Sequence, residues 1–569
     1  MLFVLIVSLL TVYLLSSAIA LIRNFSIAKS IGIPIVWSPI SPFNPFWLIF
    51  NKSLSPQLQR LPFGLGEWTK HNSLDWTWID RAHRSSEMHH TNGETFAHVT
   101  PREIEIHTRD PGVSDEVLRK KSAEFEKIGH YAKMLDVFGP SLVSSDGLDW
   151  NRHRKVTVST LSDKNNRLVW SEAIHQTQQM TDYYIQKSEG MVIDAVDDTR
   201  KLYLHVFTSV CFGVEYDYMA PEERYIPKGH RRSYKDCLHT TLKDLLILRL
   251  VPNWAFKLPA LPERIKDFRE ASTELLQYLN EMISAAEKQF RENKKDKKVG
   301  NLLTYMVCKS EEMREEQGDS LSRDRLYLTG DEVRGNLFTY SLGGHESAAH
   351  TLTFALYLLA ASPQIQDWLF EELDAVLGHE SDLLSSETFT RAFPRLIRSL
   401  AIMNETLRLF PSVTVIPKCT GSTPSTVNLN GQERVIPAGV NVYVNMPSIQ
   451  VHPAIWGNDA VLWRPSRWIE PSYDTSRGEQ LKPPPPGAFI AWSEGKRVCP
   501  GKRFSQVGFV AALAALFLKY RACVVPDEGE TQEEARERTL TVVNDTYAIT
   551  TVYMRNPQSV KVRIVQRAK

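Results

Sequence analysis

One stretch constrains this 569-residue chain more than any other: Trp492-Ser-Glu-Gly-Lys-Arg-Val-Cys-Pro-Gly501, followed by the apolar run Phe504 to Tyr520. The run reads as a buried helix, with Pro500 expected in its first turn, where a missing N–H costs little. A cysteine at a helix N-terminus faces unpaired N–H groups and the positive end of the helix dipole. Both favour thiolate over thiol. Gly495 and Gly501 allow turns or close approaches that a side chain would block. Arg497, two residues before the sulfur, is placed to pair with a carboxylate beside whatever the sulfur holds. A lone cysteine before an apolar helix is usually just a small buried hydrophobe. The ordered set of glycine, arginine, cysteine and glycine lifts Cys499 above that reading.

Such a set suits a haem iron held by one thiolate, which pushes electron density toward O–O cleavage. Gly-x-Arg-x-Cys-x-Gly resembles the haem-binding signature of the cytochromes P450, the haem-thiolate monooxygenases. That signature usually opens with Phe. Here Trp492 takes the place, keeping an aromatic wall against the sulfur but enlarging it.

Composition excludes more than it assigns. A net charge of +1 gives no sign of nucleic-acid binding, and 43% hydrophobic with 23% charged residues describes an ordinary globular protein. The six cysteines (Cys211, Cys237, Cys308, Cys419, Cys499, Cys523) are scattered, with no C-x-x-C. That fits a reducing compartment and argues against a structural zinc site.

Residues 1–22 carry no charge and are rich in Leu, Val and Ile. As a helix they would span about 33 Å, enough for a bilayer core. A cleaved signal peptide is the competing reading, helped by Ala18-Ile-Ala20, but a basic n-region is missing and the apolar run is long for one. The segment is therefore read as a transmembrane signal anchor. Arg23 and Lys29 follow, which puts the bulk of the chain in the cytosol. Residues 23–50 hold four prolines and several aromatics, expected to form a stiff linker at the membrane interface before a catalytic domain over 51–569. The sequons at Asn24, Asn51, Asn404 and Asn544 would then face the cytosol and stay unglycosylated.

Further motifs lie between. Trp150-Asn-Arg-His-Arg154 puts Trp150 and Arg154 on one helix face. The run Leu245 to Leu258, interrupted by Pro252, reads equally as a core helix with a turn or as a membrane-dipping cover. Arg291 to Lys298 reads as a solvated loop. Thr329-Gly-Asp-Glu332 is a capping box opening a helix to about Ala361. In its middle stands Gly343-Gly-His-Glu-Ser347; each glycine costs roughly 1 kcal/mol there, so a loosened turn is expected where a ligand needs room. A buried Glu346 needs a partner or a task. Glu405 and Arg408, at i and i+3, can pair on one face. Trp463-Arg-Pro-Ser-Arg-Trp468 follows, and Asp527 to Glu537 reads as an exposed acidic loop.

These motifs occur in the order and spacing of the P450 family. The resemblance implies a mainly α fold with a smaller β region, the cytochrome P450 fold preceded by a transmembrane helix. It implies haem b with Cys499 as axial ligand and Trp150, Arg154, Lys418, Trp492, Arg497 and Gly501 around the macrocycle. Lys418 stands where an arginine is usual, keeping the charge but losing the bidentate fork. By the same resemblance Glu346 and Ser347 relay protons, Gly343 and Gly344 make room for dioxygen, and Glu405, Arg408 and Arg467 form a structural triad. Residues 413–416 would line a pocket for an apolar substrate. The partner implied is an NADPH–cytochrome P450 reductase, met by Lys496, Lys502 and Arg503, on a single-pass endoplasmic reticulum protein. Two rivals stay open: a P450-type isomerase or dehydratase needing no reductase, and a non-catalytic membrane haem protein.

Overall fold

The computed structural model describes residues 2–70, 72, 83–129, 133–158, 163–192, 194–245, 261–292, 301–317, 325–380, 382–470, 478–548 and 551–567. Most of the run Leu245 to Leu258, and most of Arg291 to Lys298, lie outside them.

The fold is mainly helical with a smaller β region, as expected. Helix α1 (Leu2–Ile31) is followed by strand β1 (Ile35–Trp37) and helix α2 (Pro45–Leu58). Within α1, Val7–Ile31 is long and apolar enough to cross a membrane, and side chains such as Val4, Leu9, Val12 and Ile22 are exposed. The linker expected over 23–50 is replaced by ordered elements. The helix continues to Ile31, burying Asn24, Ala28 and Ile31, and the Asn24 amide donates to the Thr100 carbonyl at 2.9 Å. The prolines do not interrupt because of where they stand: Pro34, Pro39 and Pro42 fall between elements, and Pro45 occupies the first turn of α2. Exposed Trp37, Phe46, Ile49 and Phe50 keep the apolar surface expected of this region. Two of the sequons, Asn24 and Asn404, are buried side chains closed to a glycan.

β1 pairs in parallel with β2 (Thr95–Val99), which runs antiparallel to β3 (Ile104–Thr108). The sheet is completed by β4 (Phe125–Glu126), β5 (Val415–Thr420) and β6 (Asn441–Asn445), in the order β1-β2-β3-β6-β5-β4. Its two long-range joins, β3 with β6 and β4 with β5, bring the N-terminal part of the chain against residues 293 to 336 positions later.

The helical layer comprises α3 (Gly147–Val158), α4 (Asp163–Ser188), α5 (Ala195–Phe212), α6 (Tyr234–Lys243), α7 (Glu263–Glu292), α8 (Leu302–Gln317), α9 (Gly330–Ala361), α10 (Ile397–Leu409) and α11 (Lys502–Phe517). Helix α9 runs through the middle. The capping box is present as read, with Thr329 and Glu332 reciprocally bonded. From Ala348 to Ala361 every side chain is buried, as is α11 from Val507 to Phe517; helices apolar all round belong in a core. After β7 (Tyr520–Val524) the acidic loop expected to reach Glu537 is in part a helix, α12 (Gln532–Asn544). Its signal was in the sequence: Thr531 and Glu534 form a second capping box. The hairpin β8 (Thr546–Ala548) and β9 (Val552–Met554) follows, and β10 (Val562–Gln566) pairs with β7.

Candidate active site

The cysteine loop is held by its own backbone. The Cys499 N–H donates to the Trp492 carbonyl at 2.8 Å, and Gly495 takes a left-handed φ of 65°. A Cβ on Gly495 would lie 2.4 Å from the Leu118 carbonyl oxygen, so glycine is required there. Gly501 has an ordinary φ of −83°, and a Cβ would sit 3.8 Å from the Cys499 sulfur, a normal contact. The helix starts at Lys502 with Gly501 as N-cap, so Pro500 precedes the cap rather than filling the first turn. Burial raises the Cys499 thiol, outweighing the Gly501 N–H and the Lys502 ammonium that lower it. The expected preference for thiolate therefore needs a cation at the sulfur.

Cys499 differs from the other five cysteines. Cys211 and Cys237 are buried and Cys308, Cys419 and Cys523 half-buried, whereas the Cys499 side chain is exposed although protein surrounds it closely enough to desolvate it. A group at the floor of a recess has both properties. Tyr340 of α9 lies within electrostatic reach of Cys499, Cys211 and Arg154. The Trp492 indole N–H is tied to Ser505 Oγ at 3.2 Å.

Beside the sulfur, positive charge accumulates. Trp150 lies under Arg497 (4.1 Å) and beside Arg154 (5.4 Å), cation–π distances both. Arg497 donates to the Ser145 carbonyl at 3.0 Å and pairs with Asp146. Burial, with Arg154 adding, pushes Arg497 down to about 10. Lys418 is driven down to about 8 by burial and by Arg497. Lys127, which no motif announced, is pushed to about 7 by the same two causes. Among the described residues, Asp146 faces Lys127, Lys418 and Arg497, and Asp136 faces Lys127 as well. One buried and three half-buried basic groups in excess of these carboxylates fit a bound dianion such as the two propionates of haem.

Across the recess, α9 is continuous through Gly343-Gly344, without the loosened turn expected. Room comes from a missing side chain instead. A Cβ on Gly343 would meet nothing within 4 Å. Gly344 faces elsewhere: its Cβ would lie 2.4 Å from the Phe207 ring, so it lets α5 pack close. Ser347 Oγ donates back to the Gly343 carbonyl at 2.9 Å. Glu346 is buried and turned toward the β8–β9 hairpin, accepting from the Tyr553 hydroxyl at 2.6 Å. The acid and the alcohol are thus neighbours in sequence with different partners.

Glu405, Arg408 and Arg467 come together in one buried network that takes in further donors. Glu405 accepts from Arg408 at 2.8 Å twice, from Arg467 Nε at 2.8 Å, from the Arg464 backbone N–H at 2.8 Å and from the Trp468 indole at 2.9 Å. Arg408 donates on to the Gln450 and Ala460 carbonyls. The Gln450 side chain accepts from the Ile490 N–H at 3.0 Å, two residues before Trp492. Buried hydrogen bonds thus lead from α10 to the cysteine loop. Trp468 and Gln450 went unassigned in the sequence; the motif named Trp468 only as an aromatic, and Gln450 stands in no motif.

A family model described as Cytochrome P450 matches residues 75–550. A cytochrome P450 monooxygenase of Arthrobotrys oligospora is 27% identical over 570 residues, spanning 95% of this chain and 94% of the relative. Another, of Postia placenta, is 30% identical over 426 residues, 74% of this chain and 76% of its own length. A relative of Leptosphaeria maculans, named as the cytochrome P450 monooxygenase of a phomenoic acid biosynthesis cluster, is 25% identical over 562 residues, 93% of each chain.

Proposed function

The chain belongs to the cytochrome P450 family, and from that premise we propose that it is a membrane-anchored monooxygenase taking electrons from NADPH through a reductase and oxidising an apolar secondary metabolite or lipid-like molecule. The family's cofactor is haem held by a cysteine thiolate, which activates dioxygen so that one oxygen atom enters the substrate and the other leaves as water.

The observation that carries the residue assignment is the coincidence of two features. Cys499 is the exposed cysteine at a recess floor, and beside it lie four basic groups that, among the described residues, face two carboxylates. In this reading the Cys499 thiolate would hold the haem iron; Arg154, Arg497, Lys418 and Lys127 would hold the macrocycle's carboxylates, Trp150 would support the arginines it stacks on, and Trp492 would shield the sulfur. Gly343 leaves space on the open side. The Ser347 hydroxyl, able to donate and accept, manages protons there with Glu346. Gly344 has a packing role. Val413, half exposed where α10 gives way to β5, suits the expected substrate lining. Exposed Lys496, Lys502 and Arg503 suit an acidic electron donor. The exposed apolar face of α1, followed by Arg23 and Lys29, supports an anchor in the endoplasmic reticulum membrane with a cytosolic body.

Reconstitution with an NADPH-dependent reductase tests the reading. Turnover should need both NADPH and O₂; turnover needing neither would identify a rearranging or dehydrating enzyme. Ser347→Ala should bind substrate normally while product per NADPH falls on the order of tenfold, the worth of one well-placed hydrogen bond, and peroxide rises. Unchanged coupling would remove Ser347 from proton handling.

A further inference from the structure

Glu346 sits in a polar cluster built by elements far from it in sequence. Tyr553 reaches it from β9, its hydroxyl donating to Glu346 Oε1 at 2.6 Å. Arg200 of α5 stands 3.7 Å from the same oxygen, and its guanidinium lies 5.5 Å from the centre of the Tyr553 ring. Among the described residues, the second carboxylate oxygen, Oε2, is buried without a hydrogen-bond partner. His350, one turn further along α9, packs edge-on against Tyr553 at 4.4 Å, contacts Arg200 at 3.2 Å and meets Thr551 Oγ1 at 3.0 Å. His345 on α9 and His239 on α6 complete the surroundings, and desolvation holds all three imidazoles below their usual range, hence neutral. The cation facing Glu346 is then Arg200, at more than hydrogen-bond distance.

This leaves one direct hydrogen bond on a buried carboxylate. A buried acid with one filled and one empty oxygen has few reasons to keep its orientation, so whatever fills the first oxygen sets where the second points. Among the described residues no other group hydrogen-bonds the acid: the Ser347 hydroxyl bonds its own helix, and Arg200 pairs with the first oxygen by charge alone, at 3.7 Å. Tyr553 is itself braced: Tyr547, its cross-strand partner, stacks on it at 5.5 Å. The hairpin therefore presents the hydroxyl from a supported ring.

The geometry points to Tyr553 as the positioning residue of Glu346: the β8–β9 hairpin, through one phenolic hydrogen bond, holds the acid in the place from which it serves the recess. The inference rests on the proposed role of Glu346 in proton handling and names what makes that role possible in this chain. A residue 207 positions from Glu346 does the holding.

The experiment is a double-mutant cycle on the haem-loaded enzyme. Tyr553→Phe keeps the ring and its stacking and removes the hydroxyl. Product per NADPH should fall several-fold with peroxide rising, while the reduced carbon monoxide spectrum and substrate affinity stay as in the parent and the unfolding midpoint falls only modestly, as loss of one buried hydrogen bond requires. In a Glu346→Gln background the same Tyr553→Phe change should add less than twofold. Tyr547→Phe, which loses no bond to the acid, should be silent. A second readout needs no turnover. The infrared carboxylate stretch assigned by Glu346→Gln should shift in substrate-free Tyr553→Phe, since the hydrogen bond polarises it. A Tyr553→Phe enzyme with parental coupling and an unmoved band overturns the inference. Equal losses in both backgrounds would also overturn it, by showing that Tyr553 acts without Glu346. A shifted band in an enzyme whose Glu346→Gln variant couples normally would leave the positioning standing and defeat the proton-handling role instead.

Discussion

The two sides of the recess are built on opposite principles. Below, the cysteine loop hangs from a closed network. Glu405 receives five hydrogen bonds, Arg408 is fully buried, and the chain of bonds continues through Gln450 to Ile490. Above, α9 offers an empty position at Gly343, a serine bonded to its own helix, and a glutamate with one oxygen unpartnered among the described residues. The lower side is over-determined and the upper side under-determined. A ligand atom must be held still, whereas groups that bind oxygen and pass protons need room and movable bonds. Buried networks specify position because breaking any member leaves the others unpaired.

The comparison breaks hardest at Glu405. Replacing it with alanine leaves Arg408 fully buried without its counter-charge and Arg467 with Asp459 alone. Unfolding free energy should drop by about 3–5 kcal/mol, with haem content falling in step. Denaturant midpoints and haem-to-protein ratios check this, and a stable, fully loaded Glu405→Ala protein would deny the lower network its role.

Adjacent glycines sharpen the contrast. Gly344→Ala drives a methyl into the buried Phe207 ring and should cost about 1–3 kcal/mol. Gly343→Ala enters open space, so the fold should be unharmed or stabilised by up to about 1 kcal/mol while oxygen handling suffers. Thermal midpoints and coupling, measured on both, should separate in opposite directions.

The basic cradle yields a smaller effect with a definite sign. Lys127 and Lys418 are depressed in the fold, to about 7 and about 8, from an ordinary 10.5. Between those values and 10.5 the unfolded chain binds more protons. Stability of the haem-free protein therefore rises with pH across that window and is lost as pH falls toward 7. Lys127→Met should flatten the slope in haem-free protein, read as unfolding midpoints from pH 6.5 to 10. A bound dianion should flatten it as well.

The lower side was legible in the sequence because its members sit in short motifs with fixed spacing. Cys499, Arg497, Glu405, Arg408 and Arg467 could each be named from three or four neighbours. The upper side was legible only as residue types. Which of Gly343 and Gly344 packs on α5 and which looks into open space depends on how α9 is turned, and sequence carries no such phase. Tyr553, Arg200 and Lys127 stand in no motif, and only the folded chain brings the first two to Glu346 and the third to Arg497. The residues 23–50 misled for a different reason. Proline prevents helix only in an interior, and each of these four stands at or outside an element's end.

All of this serves one atom, the Cys499 sulfur, which we read as the thiolate that holds the haem. The reduced carbon monoxide difference spectrum tests it directly. Cys499→Ala should lose the thiolate-type band, and in most preparations the haem with it. Alanine at Cys211, Cys237, Cys308, Cys419 or Cys523 should leave the band in place. A thiolate-type band surviving in Cys499→Ala would contradict the account.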